Sequence, residues 1–219
     1  MNGGSGRNGH TLPAFDLLLT EGIGALRGRA LAAAAAHTDV DRVTQCQAMA
    51  VALEAVSAYA LRHARLAREL AAADARRPCA ETRASRAAEL KEVGRVCEWV
   101  AHRAPGTLRE ALQLLWFAHL GIKLDDGGVG HSFGRFDQYL FPFYAADLDA
   151  GRLTRDEAAE LILQLYLARM CSARVSLPRR SPDRQVSSNP VDSQPFETFR
   201  SSVSGRSETC PELCSARVS

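Results

Sequence analysis

The residues best suited to chemistry are His131 and Ser132, at the end of a Gly-rich loop that reads Asp125-Asp-Gly-Gly-Val-Gly-His-Ser-Phe133. An imidazole beside a hydroxyl can hydrogen-bond a polyol or transfer a proton near neutral pH. The alternative is that both side chains only satisfy backbone groups of the loop, and the residue chemistry alone favours that structural role. Just after the loop, Arg135 and Asp137 are two positions apart. Because residues at this spacing do not face each other on a helix, we expect each to pair with another element.

The six cysteines do not form a recognisable site. Cys79 and Cys97 have no His partner at zinc spacing, and Cys46 and Cys97 lie on the predicted buried faces of helices. Cys210 and Cys214 form a C-x3-C pair, which alone is weak evidence for a metal. The chain also lacks a GxSxG elbow, a P-loop, an HExxH motif and paired CxxC motifs. We therefore expect no metal site and no catalytic residue in this chain.

Composition excludes several classes of protein. The 219 residues are 46% apolar and 24% charged, and the formal net charge is +2. Arginine outnumbers lysine 25 to 2, a bias that phosphate binding does not require, so we expect no nucleic-acid partner. No apolar run is long enough to cross a membrane. The first ten residues contain no signal-peptide core, which favours a cytoplasmic location.

Hydrophobic periodicity predicts a mainly α fold with six amphipathic helices. The first is expected to bend at Gly22 and Gly24. The predicted helices span 13–36, 43–73, 81–103, 108–122 and 134–149, with a sixth that opens at Thr154. The second should bury a stripe formed by Cys46, Met49, Ala50, Leu53, Val56, Ala60 and Ala64.

Two helix starts carry capping boxes, Thr107-Leu-Arg-Glu110 and Thr154-Arg-Asp-Glu157. The helix that follows the first box is apolar on most faces. A helix of this kind is normally buried, so we expect other parts of a larger protein to cover it.

The chain divides by composition into three parts. Residues 1–10 are Gly/Asn-rich and are expected to be mobile, and residues 11–170 hold the helices. Residues 171–219 contain 12 serines against 4 in the preceding 170 residues, together with recurrent prolines. The hexapeptide CSARVS occurs there twice, at 171–176 and 214–219. We expect this tail to be disordered or aberrant sequence.

Three segments of the helical part have sequences that resemble those of a known family. They run from Leu108 to His119 (LREALQLLWFAH), from Gly130 to Tyr144 (GHSFGRFDQYLFPFY) and from Asp147 to Thr154 (DLDAGRLT). They resemble the pyruvate formate-lyase domain of glycyl radical enzymes, in the branch that contains glycerol and diol dehydratases and choline lyase. The resemblance covers about residues 9–169.

The resemblance implies a helical section of a ten-stranded α/β barrel in a much longer, often homodimeric enzyme of anaerobic metabolism. In that family an activase that uses S-adenosylmethionine and an iron–sulfur cluster installs a glycyl radical. The radical converts a cysteine to a thiyl, which abstracts hydrogen from a small oxygenated substrate. The residues matching the family's substrate-binding positions are His131, Ser132 and His10.

Neither radical loop of the family is present in a convincing form. Val203-Ser-Gly205 matches part of the radical motif, but Ser202 precedes it and Arg206 follows it, and nothing around Cys171 resembles the catalytic cysteine loop. We therefore expect a fragment of a lyase or dehydratase that binds no cofactor directly and is inactive alone. Two alternatives stay open: a non-catalytic helical interaction module, and a metal-binding or redox protein that uses the six Cys and six His.

Overall fold

The computed structural model describes residues 12–74, 80–126 and 131–173. Within these ranges the chain forms six α-helices and no β-strand, which confirms the mainly α expectation. The helices are α1 (Phe15–Ala36), α2 (Val40–Asp74), α3 (Ala80–Val100), α4 (Leu108–Asp126), α5 (Phe136–Asp149) and α6 (Arg155–Ala173). None of the helices in this described part is long and apolar enough to cross a membrane.

The chain divides into two compact units, Met1–Leu161 and Ile162–Ser219, and the division falls within α6. In the second unit the described residues are the end of α6, where four large side chains are exposed: Leu163, Tyr166, Leu167 and Met170. Residues 1–10 and 174–219 lie outside the described residues. The expected boundary after residue 170 therefore stays a prediction.

A kink at Gly22 confirms the expected bend in α1. Gly22 has φ 76° and ψ 165°, a conformation that is essentially restricted to glycine. A Cβ at Gly22 would lie 2.4 Å from the Ala104 nitrogen, and a Cβ at Gly24 would lie 2.3 Å from the His102 carbonyl oxygen. The two glycines therefore let α1 approach the backbone of the segment that follows α3.

Small side chains form the buried face of α2. We call this set the small-residue seam; its members recur at nearly heptad spacing and are Ala50, Ser57, Ala60, Ala64, Ala67 and Ala71. On α3, a Cβ at Gly94 would lie 3.3 Å from the Ala64 carbonyl oxygen, so the two helices approach closely there. The predicted stripe was wrong at Met49, which is 50% exposed, and Cys46 is partly exposed as well. The positions of the seam require small side chains, whereas the prediction chose the buried positions of α2 by their hydrophobicity.

Helix α4 is buried over most of its length, although Arg109 and Leu124 are exposed. Among its residues, Leu108, Ala111, Leu114 and Leu115 have no exposed area. It contacts α1, α2, α3 and α5. The expectation that α4 is buried is confirmed, and helices of the same chain provide much of its cover. Further cover by other parts of a larger protein stays a prediction.

Both predicted capping boxes are found, although in the first one the glutamate bonds the residue before Thr107 and not Thr107 itself. At the start of α4 the Glu110 N–H donates to Thr107 Oγ1 at 3.2 Å, and Glu110 Oε2 accepts from the Gly106 N–H at 2.8 Å. Glu110 Oε1 also accepts from Arg95 Nη1 at 3.0 Å. At the start of α6 the Thr154 N–H donates to Glu157 Oε2 at 2.8 Å, a bond that lowers the pKa of Glu157.

A carboxylate from the end of α5 completes the start of α4. Asp147 is 2% exposed. Its Oδ2 accepts the Leu108 N–H at 2.8 Å, and its Oδ1 accepts from Arg152 Nε at 2.7 Å. Because the first N–H groups of a helix have no partner within the helix, Asp147 supplies one from a different part of the chain.

A half-buried histidine lies between α2 and α4. The ring of His63 is centred 4.4 Å from that of Tyr59 and 5.4 Å from that of Phe117. Its Nδ1 lies 2.9 Å from the Tyr59 carbonyl oxygen. Burial lowers the pKa of His63, and the neighbouring Arg62 adds to that effect, while the bond to the Tyr59 carbonyl opposes it. The folded chain therefore favours the neutral imidazole.

Gly22→Ala should destabilise the chain by about 1–3 kcal/mol, because alanine is strained at this φ and ψ and its Cβ would overlap the Ala104 backbone. Gly28 is the matched control on the same helix, since nothing lies within 4 Å of a Cβ there. Gly28→Ala should stabilise the chain by about 0.4–1 kcal/mol. Urea unfolding followed by circular dichroism measures both, and equal effects would contradict the kink assignment.

Asp147→Ala should lower the free energy of unfolding by about 2–4 kcal/mol, because it leaves the Leu108 N–H buried without its acceptor. Asp149, which is exposed and two positions away, provides the control. Asp149→Ala should change the free energy by less than about 0.5 kcal/mol. Chemical unfolding of the two variants side by side checks the difference, and equal losses would show that Asp147 acts only through net charge.

His63 should make the chain less stable in acid. Since its folded pKa lies below the ordinary value, the unfolded chain binds the proton first, and stability falls as pH drops through the ordinary histidine pKa. His63→Phe keeps an aromatic ring and should reduce the difference between urea midpoints at about pH 7.5 and about pH 5.5. The same change at the exposed His37 should leave that difference intact. An unaltered difference in His63→Phe would rule out His63 as its source.

Candidate functional site

The segment from His131 to Gly134 joins α4 to α5 and has no regular secondary structure. His131 is 4% exposed, whereas Ser132 is exposed. The two neighbouring side chains therefore differ in their access to water. The preceding loop residues 127–130 and the third predicted site residue, His10, lie outside the described residues.

Three contacts fix the backbone of the 131–134 segment. Ser132 Oγ accepts the Gly134 N–H at 3.0 Å, a turn in which a hydroxyl replaces a backbone acceptor. The Tyr139 hydroxyl donates to the Phe133 carbonyl oxygen at 2.7 Å. Gly134 has φ 60°, and a Cβ there would lie 2.5 Å from Leu12 Cδ1. The alternative role considered for Ser132, satisfying a backbone group, is thus observed.

An aromatic cluster buries Phe133, which belongs to the segment. Its ring is centred 5.8 Å from Phe15 of α1 and 5.0 Å from His119 of α4. His119 in turn stacks on Trp116 with 5.7 Å between ring centres. The segment is therefore packed against both α1 and α4. Tyr139 and His119 were not among the predicted site residues, because their spacing on amphipathic helices marks only a buried face.

Arg135 and Asp137 correct a prediction. They pair with each other through two contacts, Arg135 Nε to Asp137 Oδ1 at 3.0 Å and Arg135 Nη2 to Asp137 Oδ2 at 2.9 Å. The prediction assumed helical geometry at both residues, but Arg135 is the N-cap and has non-helical φ and ψ of −82° and 59°. The pair lowers the pKa of Asp137. It is exposed, so it contributes little to stability.

The cysteine side chains that the structure describes are those of Cys46 and Cys97. Cys97 is buried, and burial raises the pKa of its thiol to about 12. A thiol of this kind is a poor nucleophile near neutral pH, since the reactive form is the thiolate. Cys79, Cys210 and Cys214 lie outside the described residues, and Cys171 lies in α6 but its side chain is not described. Within the described part, no three His, Cys, Asp or Glu side chains are grouped to hold a metal ion.

The sequence matches a known family over most of its length. The model of the family described as pyruvate formate lyase-like matches residues 4–190. A probable dehydratase of Escherichia coli, YbiW, is 35% identical over 164 residues, covering 72% of this chain and 19% of that protein. A (2S)-3-sulfopropanediol dehydratase of Klebsiella oxytoca is 37% identical over 120 residues, covering 55% and 14%.

Solved structures agree with the sequence matches. A structure described for 1,2-propanediol dehydration in Roseburia inulinivorans has a TM-score of 0.63 and 31% identity, covering 73% of this chain and 19% of that one. The glycerol-bound form of the B12-independent glycerol dehydratase from Clostridium butyricum has a TM-score of 0.62 and 26% identity, covering 74% and 20%. The chain thus spans about a fifth of the length of these relatives. It belongs to the pyruvate formate lyase-like family of glycyl radical enzymes.

Proposed function

We propose that this chain is the helical, substrate-contacting section of a glycyl radical dehydratase or lyase and is not catalytic by itself. The observation that carries the proposal is the family match over residues 4–190, which includes the 131–134 segment, in a chain about a fifth as long as its relatives. The relatives include dehydratases whose descriptions name 1,2-propanediol, glycerol and sulfopropanediol. The substrate class is therefore a small hydroxylated molecule.

In this proposal His131, Ser132 and His10 contact the substrate hydroxyls. His131 offers an imidazole with little exposure to water, where a hydrogen bond to a hydroxyl is stronger than it is in bulk solvent. The Ser132 oxygen accepts the Gly134 N–H, and its own O–H can still donate to a ligand. These side chains bind and orient the substrate; they do not carry the radical.

The radical chemistry belongs to other parts of the whole protein. A glycyl radical supplies hydrogen abstraction, through a cysteine thiyl, once an activase with S-adenosylmethionine and an iron–sulfur cluster has generated it. Cys97 does not fit the thiyl position, since it lies buried in helix packing, and Val203-Ser-Gly205 lies outside the described residues. We place the whole protein in the cytoplasm, in anaerobic metabolism, as a homodimer that meets its activase and its small-molecule substrate there.

A chimera tests the substrate-contacting role. Residues 12–173 would replace the corresponding section of the complete 1,2-propanediol dehydratase, and turnover of propane-1,2-diol would be measured anaerobically after activation. His131→Ala in the chimera should lower kcat/KM by about 10- to 100-fold, the size of a lost hydrogen bond to a substrate. The exposed His102→Ala is the control and should change little. Equal activities of the two variants would overturn the assignment of His131.

Electron paramagnetic resonance tests whether the chain is catalytic alone. The 219-residue chain would be incubated anaerobically with the dehydratase activase, S-adenosylmethionine and a reductant. We expect no glycyl radical signal, since Val203-Ser-Gly205 matches only part of the family's radical motif. A stoichiometric glycyl radical signal would show that the chain carries its own radical site and would contradict the proposal.

A non-catalytic helical interaction module is the second candidate, and one observation favours it. Leu163, Tyr166, Leu167 and Met170 form an exposed apolar stripe at helical spacing on α6. The intact mass of the protein isolated from its source cells separates the two candidates. A much longer product that carries the cysteine and glycine loops of the family supports the enzyme, whereas a product of 219 residues supports the module.

A further inference from the structure

Tyr139 connects the 131–134 segment to α5. It lies in the first turns of α5, and its hydroxyl donates to the Phe133 carbonyl oxygen at 2.7 Å. Its ring is centred 6.3 Å from that of Phe15 of α1. Tyr139 therefore holds the backbone of the segment by its hydroxyl and contacts the aromatic cluster by its ring.

The group that the Tyr139 hydroxyl holds in place is the Phe133 carbonyl. Phe133 is buried, and a backbone carbonyl away from water requires a hydrogen-bond partner. The Phe133 carbonyl and the Gly134 N–H belong to the same peptide unit, so a bond that fixes the carbonyl also fixes the donor that Ser132 Oγ accepts. The hydrogen bond from the Gly134 N–H to Ser132 Oγ is in the same turn and depends on the same backbone conformation.

We propose that Tyr139 is a positioning residue, which fixes the backbone of the 131–134 segment and thereby orients His131 and Ser132 for substrate contact. The proposal rests on the proposed function, in which those two side chains bind the substrate. Tyr139 itself does not touch the substrate. Tyr139→Phe removes a single oxygen and keeps the ring, so its effect should be confined to the segment.

The first test uses the 219-residue chain without substrate. Amide hydrogen exchange, followed by NMR, should show the Gly134 N–H of Tyr139→Phe exchanging about tenfold faster, while the amides of α2 and α3 are unchanged. The His131 imidazole signals should shift in the same variant. Tyr144→Phe is the matched control on the same helix and should leave Gly134 and His131 as they are.

Two results of this test would overturn the proposal. One is an unchanged Gly134 exchange rate with unchanged His131 signals, which would mean that the hydroxyl fixes nothing. The other is a similar loss of protection in all helices, which would make Tyr139 a general packing residue. Urea unfolding of the same samples separates a local effect from a global one.

A mutant cycle in the dehydratase chimera then tests the link to substrate. Tyr139→Phe alone should lower kcat/KM about tenfold, with most of the change in KM. In a background that carries both His131→Ala and Ser132→Ala it should have less than about a twofold effect, because both groups that it positions are gone. Additive losses would overturn the positioning role. If His131→Ala alone has no effect, the assignment of His131 fails instead, and the exchange data still show whether Tyr139 fixes the segment.

Discussion

The buried Asp147 carboxylate is the contact on which the arrangement of α4 and α5 depends. Leu108, Glu110 and Ala111 are buried at the start of α4, so the N–H groups of these residues cannot be left for water to satisfy. The capping box supplies two bonds from neighbouring residues, and Asp147 supplies one from the far end of α5. Arg152 holds the second carboxylate oxygen, which compensates part of the cost of burying the charge.

The candidate site follows from that arrangement, because the 131–134 segment lies between the end of α4 and the start of α5. The start of α4 is bonded to the end of α5, and the segment leads into the other end of α5. Phe133 then packs against both α1 and α4, while Tyr139 holds its carbonyl oxygen from α5. The position of Phe133 is thus determined by three helices, although no helix contains it.

Much of the fold could be predicted because the signals are local. Six helices follow from periodicity, both capping boxes from four-residue patterns, and the bend in α1 from two glycines. The exposure of Met49 could not be predicted from hydrophobicity, since the contact with α3 selects for small volume. The Asp147–Leu108 bond joins residues 39 positions apart, and nothing in the local sequence marks it. The Arg135–Asp137 pair was missed because helical spacing was applied to an N-cap residue.

Only part of the candidate site could be predicted from the sequence. The resemblance selected His131 and Ser132, but residue types alone could not show that one ring is buried and the other side chain exposed. The roles of Tyr139 and Leu12 at this segment depend on tertiary contacts: a hydroxyl that reaches back six residues, and a leucine packed on a glycine from a distant part of the chain.

The small-residue seam of α2 has a consequence for how this sequence can vary. A single-nucleotide change in an alanine codon gives Gly, Ser, Thr, Val, Pro, Asp or Glu, and all of these except Gly are larger than alanine. Glycine costs a helix about 1 kcal/mol and proline about 3 kcal/mol, while the larger residues would separate α2 from its neighbours. Serine adds one oxygen, and Ser57 shows that the seam accepts it at one position. Most single-nucleotide changes at five of its six positions are therefore expected to be deleterious. This face of α2 should change slowly in evolution, whereas the exposed face of the helix should accept substitutions more readily.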